Sequence, residues 1–161
     1  ALALPACQPP QAQRAQPGTE RLAVLSPTLT EIVFALGAGS QVVAVDMSAR
    51  YPAAAARLPR LSAYRQLAPE GVLAQRPTRI LAPAEAGPPA AVAQLQASGI
   101  PYHIYENPRS PEATRALIRQ LGKELDRPAQ ADSLLAGLGI QLDSLAALLR
   151  RRPARPRLLF I

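Results

Sequence analysis

Apolar residues fall along this chain in short blocks, divided by breaks rich in proline, glycine and serine. RLAVLS (21–26) is an unbroken apolar run that predicts a buried strand. Pro27 follows. In TLTEIVFALG, Leu29, Ile32, Val33 and Leu36 recur at helical spacing. Thr28 and Glu31 stand at capping-box spacing, and Gly37 or Gly39 ends that helix. VVAVD (42–46) predicts a second strand, and Pro52 and Pro59 break the long connection after it. PEGVLAQRP (69–77) opens a helix at Pro69, with Gly71 a weak point inside it. RILA (79–82) is a third strand, AEAGPP (84–89) a loop, and AAVAQLQASG a helix closed by Gly99. In PYHIYE (101–106), Tyr102, Ile104 and Glu106 alternate against His103 and Tyr105, as in a fourth strand. Ser110, Pro111 and Glu112 start a helix to about Leu125, and a second helical stretch runs from Ala129 to about Arg152. RLLFI (157–161) reads as a fifth strand.

Strand and helix alternate, which argues for an α/β fold with a parallel sheet flanked by helices. In such sheets ligands bind beyond the carboxyl ends of the strands. Those ends lead into SPTLTE, the DMSARYP and LSAYRQ region, PAEAGPP and ENPRSPE.

Composition narrows this picture. The chain has 161 residues, enough for one sizeable core; 48% are hydrophobic, only 4% aromatic, and 18 are proline. That proline content favours short elements joined by rigid turns over a simple bundle. The formal charge of +7 is spread out, except for Arg150, Arg151, Arg152, Arg155 and Arg157. No aromatic platform or groove-reading helix accompanies them, so they read as a solvated helix end and not as a nucleic-acid footprint. Cys7 is the one cysteine, which excludes a disulfide within the chain, and no unbroken apolar run reaches membrane-helix length.

The opening ALALPAC, followed by QPPQAQRAQPG, looks like the end of a secretory apolar region and a polar leader. LPAC also resembles a lipobox, in which Cys7 becomes the lipidated residue; ordinary signal cleavage and a free cysteine are the alternatives. Residues 1–19 are expected to lie outside the fold. RPRLLFI stops within a strand pattern, so a continuation is expected.

Candidate chemistry is sparse. His103 is the one histidine and lies in a predicted strand; there is no GxSxG and no GxxxxGK[ST]. GAGS (37–40) follows a helix, the wrong context for a dinucleotide turn. These features point away from an enzyme. One pair stands out: a tyrosinate is a ligand for ferric haem iron, and Tyr64 is followed by Arg65, a cation suited to a phenolate or a propionate.

Three stretches carry a family resemblance. RLAVLSPTLTEIVFALGAGSQVVAVD resembles the opening of periplasmic binding proteins that serve vitamin B12, siderophore and haem importers. YPAAAARLPRLSAYRQLAPEGVLAQRPTRILA, and AEAGPP with the helix after it, resemble the haem branch. The resemblance implies a two-lobed α/β protein whose lobes are joined by a long helix. It implies capture of haem outside the cytoplasmic membrane and delivery to an ABC permease–ATPase complex. Residues 20–127 would form the N-terminal ligand-binding lobe, 128–152 the interlobe helix, and 153–161 the first strand of a second lobe.

By the same resemblance, Tyr64 is the metal ligand and Arg65 its associated cation. Ser26, Thr28, Glu85 and Gly87 line the cleft, and Glu70 docks on the permease. The family's haem tyrosine occurs as G-Y-x-R-x-L. Aligning Arg65 and Leu67 to that pattern puts Ala63 at the tyrosine, with Tyr64 one place late. Three readings stay open: Tyr64 reaches the iron by a backbone adjustment, Tyr51 substitutes for it, or no tyrosinate ligates. A siderophore or corrinoid ligand, and a lobe that binds nothing by itself, are the alternatives to haem.

Overall fold

The computed structural model describes residues 20–151 together with Arg157 and Leu159. The expectations for the leader, the Cys7 anchor and the fifth strand therefore lie outside the described residues. Four parallel strands, β1 (Leu22–Val24), β2 (Val42–Val45), β3 (Arg79–Pro83) and β4 (Tyr102–Tyr105), form one sheet in the order β2-β1-β3-β4. Among the described residues, five α-helices flank it: α1 (Pro27–Ala35), α2 (Pro69–Ala74), α3 (Pro89–Ala97), α4 (Pro111–Glu124) and α5 (Pro128–Arg150).

Both faces of the sheet are covered, which is why its strands read as unbroken apolar runs. Leu22, Val24, Val42, Val45, Leu81 and Tyr105 join residues of α1, α4 and α5 in one core. Ala23, Leu25, Ala44, Ile80 and Ala82 face the other way, where they meet Val72 of α2 and Leu95 of α3. The alternation read in β4 is present, but Ile104 is 54% exposed while Tyr105 is buried, because β4 is the sheet's edge.

The helix boundaries follow local chemistry, with one correction. Pro27 takes the first helical position of α1, so the cap is Ser26, whose hydroxyl accepts from the Leu29 N–H at 3.4 Å; the Thr28–Glu31 capping box does not form. Gly37 ends α1 and Gly99 follows α3, both at positive φ, the conformation that favours glycine. Arg76 and Asp126 take positive φ after α2 and α4 without being glycine. The side chain of Arg21 donates to the Gln75 and Arg76 carbonyls at the end of α2, satisfying groups the helix leaves open.

The length and composition of α5 would suffice to cross a membrane, a feature that counting unbroken apolar runs misses. Its Leu134, Leu135 and Leu138 pack against the core, which accounts for the apolar character of that side.

Candidate functional site

The strand order places the direction change of the winding between β1 and β3, since the chain leaves β1 for β2 on one side and returns to β3 on the other. In open parallel sheets ligands bind at such a switch point, beyond the carboxyl ends of the strands. Ser26 follows β1, Asp46 follows β2, the Ala84–Gly87 loop follows β3 and Asn107 lies just past β4.

Tyr64 begins a 3₁₀ turn, Tyr64–Gln66, on this edge. Two groups distant in sequence hold the turn. The Tyr64 N–H donates to Asp46 Oδ2 at 2.8 Å. Gly87 brackets it from the other side: its N–H donates to the Tyr64 carbonyl, and its carbonyl accepts from the Leu67 N–H, each at 2.8 Å. Tyr64 itself is half-buried against the core that contains Leu61 and Leu67. The Arg65 guanidinium carbon lies 5.4 Å from the centre of the Tyr64 ring, within cation–π range. Tyr64, Arg65 and Gly87 are thus brought together.

The remaining expected residues are placed unevenly. Glu85 is half-buried and its Oε2 accepts from Asn107 Nδ2 at 2.6 Å, tying the loop after β3 to the loop after β4. Ser26 is 2% exposed and its hydroxyl is engaged in capping α1. Thr28 is half-buried in the first turn of α1. Tyr51 is 68% exposed in the loop after β2. Glu70 is exposed in the first turn of α2, whose start lies on the same edge, because each helix begins where the chain leaves that edge.

Sequence reasoning missed Asp46. Its side chain is fully buried, and besides Tyr64 it accepts from the N–H of Ser48 at 2.8 Å and from the Ser48 hydroxyl. A buried carboxyl needs such partners, and these donors supply them. The one available signal was an acid closing an apolar strand and followed by Met-Ser. His103 is placed away from the edge, near Glu124 at the end of α4, in keeping with a structural role.

Two concavities differ in their relation to this edge. A groove of about 460 Å³ between α1 and α5 touches Ala35, the last residue of α1, at the opposite end of that helix from Ser26. An open pocket of about 690 Å³ lies at the carboxyl end of β2, lined by Met47, Arg50, Ala56, Arg60 and Leu61. Among the described residues, no cluster of three histidine, cysteine or acidic side chains could hold a metal ion.

A sheet wound this way, with its loops gathered on one edge, is the open α/β class that binds ligands at its carboxyl edge. The chain belongs to the periplasmic binding protein family, which it matches over residues 22–161. It is 37% identical to the periplasmic heme-binding protein RhuT from Roseiflexus sp. RS-1, with a TM-score of 0.80, covering 86% of this chain and 53% of that one. It is 31% identical to the periplasmic heme-binding protein HutB of Vibrio cholerae, with a TM-score of 0.76, covering 87% and 53%. A vitamin B12-binding protein of Yersinia pestis is 35% identical over 111 residues, 69% of this chain and 37% of the relative. The chain therefore spans about half the length of these structures and less of the curated relative.

Proposed function

We propose that this chain is the ligand-binding lobe of an extracytoplasmic substrate-binding component of an ABC importer, and that its cargo is haem. Tyr64 ligates the ferric iron, and Arg65 supports the phenolate by its charge. The observation that carries this reading is the grip of Asp46 and Gly87 on the Tyr64 turn. Two loops spend their polar groups on presenting one tyrosine–arginine pair at the switch point. Such positioning by groups outside the turn suits a metal-binding side chain. The one-residue displacement from the family pattern is then absorbed by the 3₁₀ turn that starts at Tyr64.

Around this pair, Gly87, Glu85 and Thr28 frame the lobe's half of the cleft, while Tyr51 stands at its margin and Ser26 beneath it. The haem-binding relatives at 37% and 31% identity support the ligand class. Glu70 docks on the permease, and α5 links this lobe to a second one. The protein works in the periplasm, as a soluble form or anchored through Cys7.

Titration with ferric hemin tests the ligand. A saturable Soret shift with a high-spin, tyrosinate-type charge-transfer band is expected, and Tyr64→Phe removes that band. Retention of the same spectrum in Tyr64→Phe would move the ligand elsewhere, with Tyr51→Phe the next variant to measure. A corrinoid is the second reading, favoured by the identity to the vitamin B12-binding protein. Binding of cyanocobalamin without a hemin Soret shift would establish it.

A further inference from the structure

Residues 47–68, in the connection between β2 and α2, contain Arg50, Arg57, Arg60 and Arg65 and not one aspartate or glutamate. Asp46, the acid just before them, is buried and engaged by Tyr64 and Ser48, so it offers no counter-charge to solvent. Two of the four arginines, Arg50 and Arg60, line the pocket at the carboxyl end of β2. Its other walls are the apolar Met47, Ala56 and Leu61.

Arg60 is held in place. One of its terminal nitrogens donates to the Met47 carbonyl at 2.7 Å and to the Ala49 carbonyl at 3.3 Å. Its backbone is also fixed, because the segment runs parallel to β2: Val45 N–H donates to the Pro59 carbonyl at 3.0 Å, and Leu61 N–H to the Val45 carbonyl at 2.8 Å. Among the described residues, the second terminal nitrogen of this planar, forked donor has no hydrogen-bond partner. Arg50 is exposed and lines the same pocket. A pocket with apolar walls and two arginines in its lining fits an apolar body that ends in a carboxylate. The pocket wall at Leu61 is three residues ahead of Tyr64, on the same edge of the sheet.

We propose that Arg50 and Arg60 receive a carboxylate of the bound ligand, and that this site selects a dianionic porphyrin over a neutral, amide-bearing corrinoid. The inference rests on the haem reading above and adds a determinant of specificity to it. Tyr64 addresses the iron; the arginine pair addresses the periphery of the macrocycle.

The test is a set of titrations of the intact protein with hemin, hemin dimethyl ester and cyanocobalamin. The ester keeps the iron and the ring and loses both negative charges. Wild type is expected to bind hemin at least ten-fold more tightly than the ester, as a charge-assisted hydrogen bond warrants. Arg50→Ala is expected to lower hemin affinity about ten-fold and leave ester affinity unchanged, with recovery in Arg50→Lys. Arg60→Ala should do the same, but it also frees the Met47 and Ala49 carbonyls, so Arg50 is the decisive position. Arg57→Ala removes the same charge outside the pocket and is expected to change neither affinity.

Equal affinities of wild type for hemin and its ester would overturn the proposal and leave the haem reading standing. So would an Arg57→Ala loss as large as that of Arg50→Ala, which would make the effect a general field. Absence of hemin binding to wild type would overturn both.

Discussion

The carboxyl of Asp46 gathers the N–H groups of Tyr64 and Ser48 at the end of β2. Asp46→Ala leaves both donors without their buried partner, and a loss of about 2–4 kcal/mol is expected, measured by urea unfolding. Ligand affinity should fall as well, since the Tyr64 turn loses one of its two anchors. Unchanged stability and affinity would show that Gly87 alone holds the turn. A different residue sets the alkaline limit. Burial, then the bond to the Glu124 carboxyl and its charge, push the Tyr105 phenol far above its ordinary pKa, and burial raises Tyr102 in the same direction. The folded state thus holds these protons more tightly than the unfolded chain, which ionises from about pH 10. Stability is full below that pH and declines as pH rises beyond it, by up to about 1.4 kcal/mol per pH unit for each phenol. Thermal unfolding between pH 8 and 11 should show a shallower decline in Tyr105→Phe; an unchanged slope would place the effect elsewhere. Tyr64 was legible as a candidate because the chain has only four tyrosines and this one is followed directly by an arginine. Asp46 was not, because an acid after a strand looks the same whether it faces water or a loop eighteen residues away.

Among the elements, the contact of α4 with α5 depends on one small residue. A Cβ at Gly122 would stand 2.5 Å from the Ala131 Cβ and 3.3 Å from the Arg127 carbonyl oxygen. Gly122 is buried within α4, where a glycine otherwise weakens a helix. Gly122→Ala is therefore expected to destabilise by about 1–3 kcal/mol through overpacking, despite the better helix propensity of alanine. Chemical denaturation decides it: a gain in stability would mean that the two helices separate freely. The helix starts at Pro69 and Pro111 are legible in the sequence because proline marks the first turn, whereas at Pro27, Pro89 and Pro128 the sequence reading puts the proline just outside the helix that it in fact opens. The displaced cap of α1 was not, because Thr28 and Glu31 fit the capping-box pattern as well as Ser26 fits the cap. Only the position of Pro27 in the first turn decides between them.

For the whole molecule, the carboxyl edge of the sheet bears both the Tyr64 turn and the exposed Glu70, so the proposed cargo and docking roles are tested separately by mutation. In a reconstituted importer, Glu70→Ala is expected to abolish or strongly reduce stimulation of the permease–ATPase complex. Hemin titration of the same variant should match wild type. Loss of hemin binding in Glu70→Ala would assign the residue to the ligand site instead. The alternation of apolar blocks with helical periodicity was enough to determine a parallel α/β lobe from sequence, because burial on both faces writes itself into every strand as an unbroken apolar run. What only the tertiary structure decided is which distant residues meet. The order β2-β1-β3-β4 sets the switch point, the Asp46 and Gly87 bonds hold the Tyr64 turn at the carboxyl edge, and the chain passing beside β2 puts Arg60 in the lining of the same pocket as Arg50. Hydrophobic periodicity is local and records the face a residue turns to the core. Hydrogen bonds between loops are long-range and leave no periodic trace in the chain.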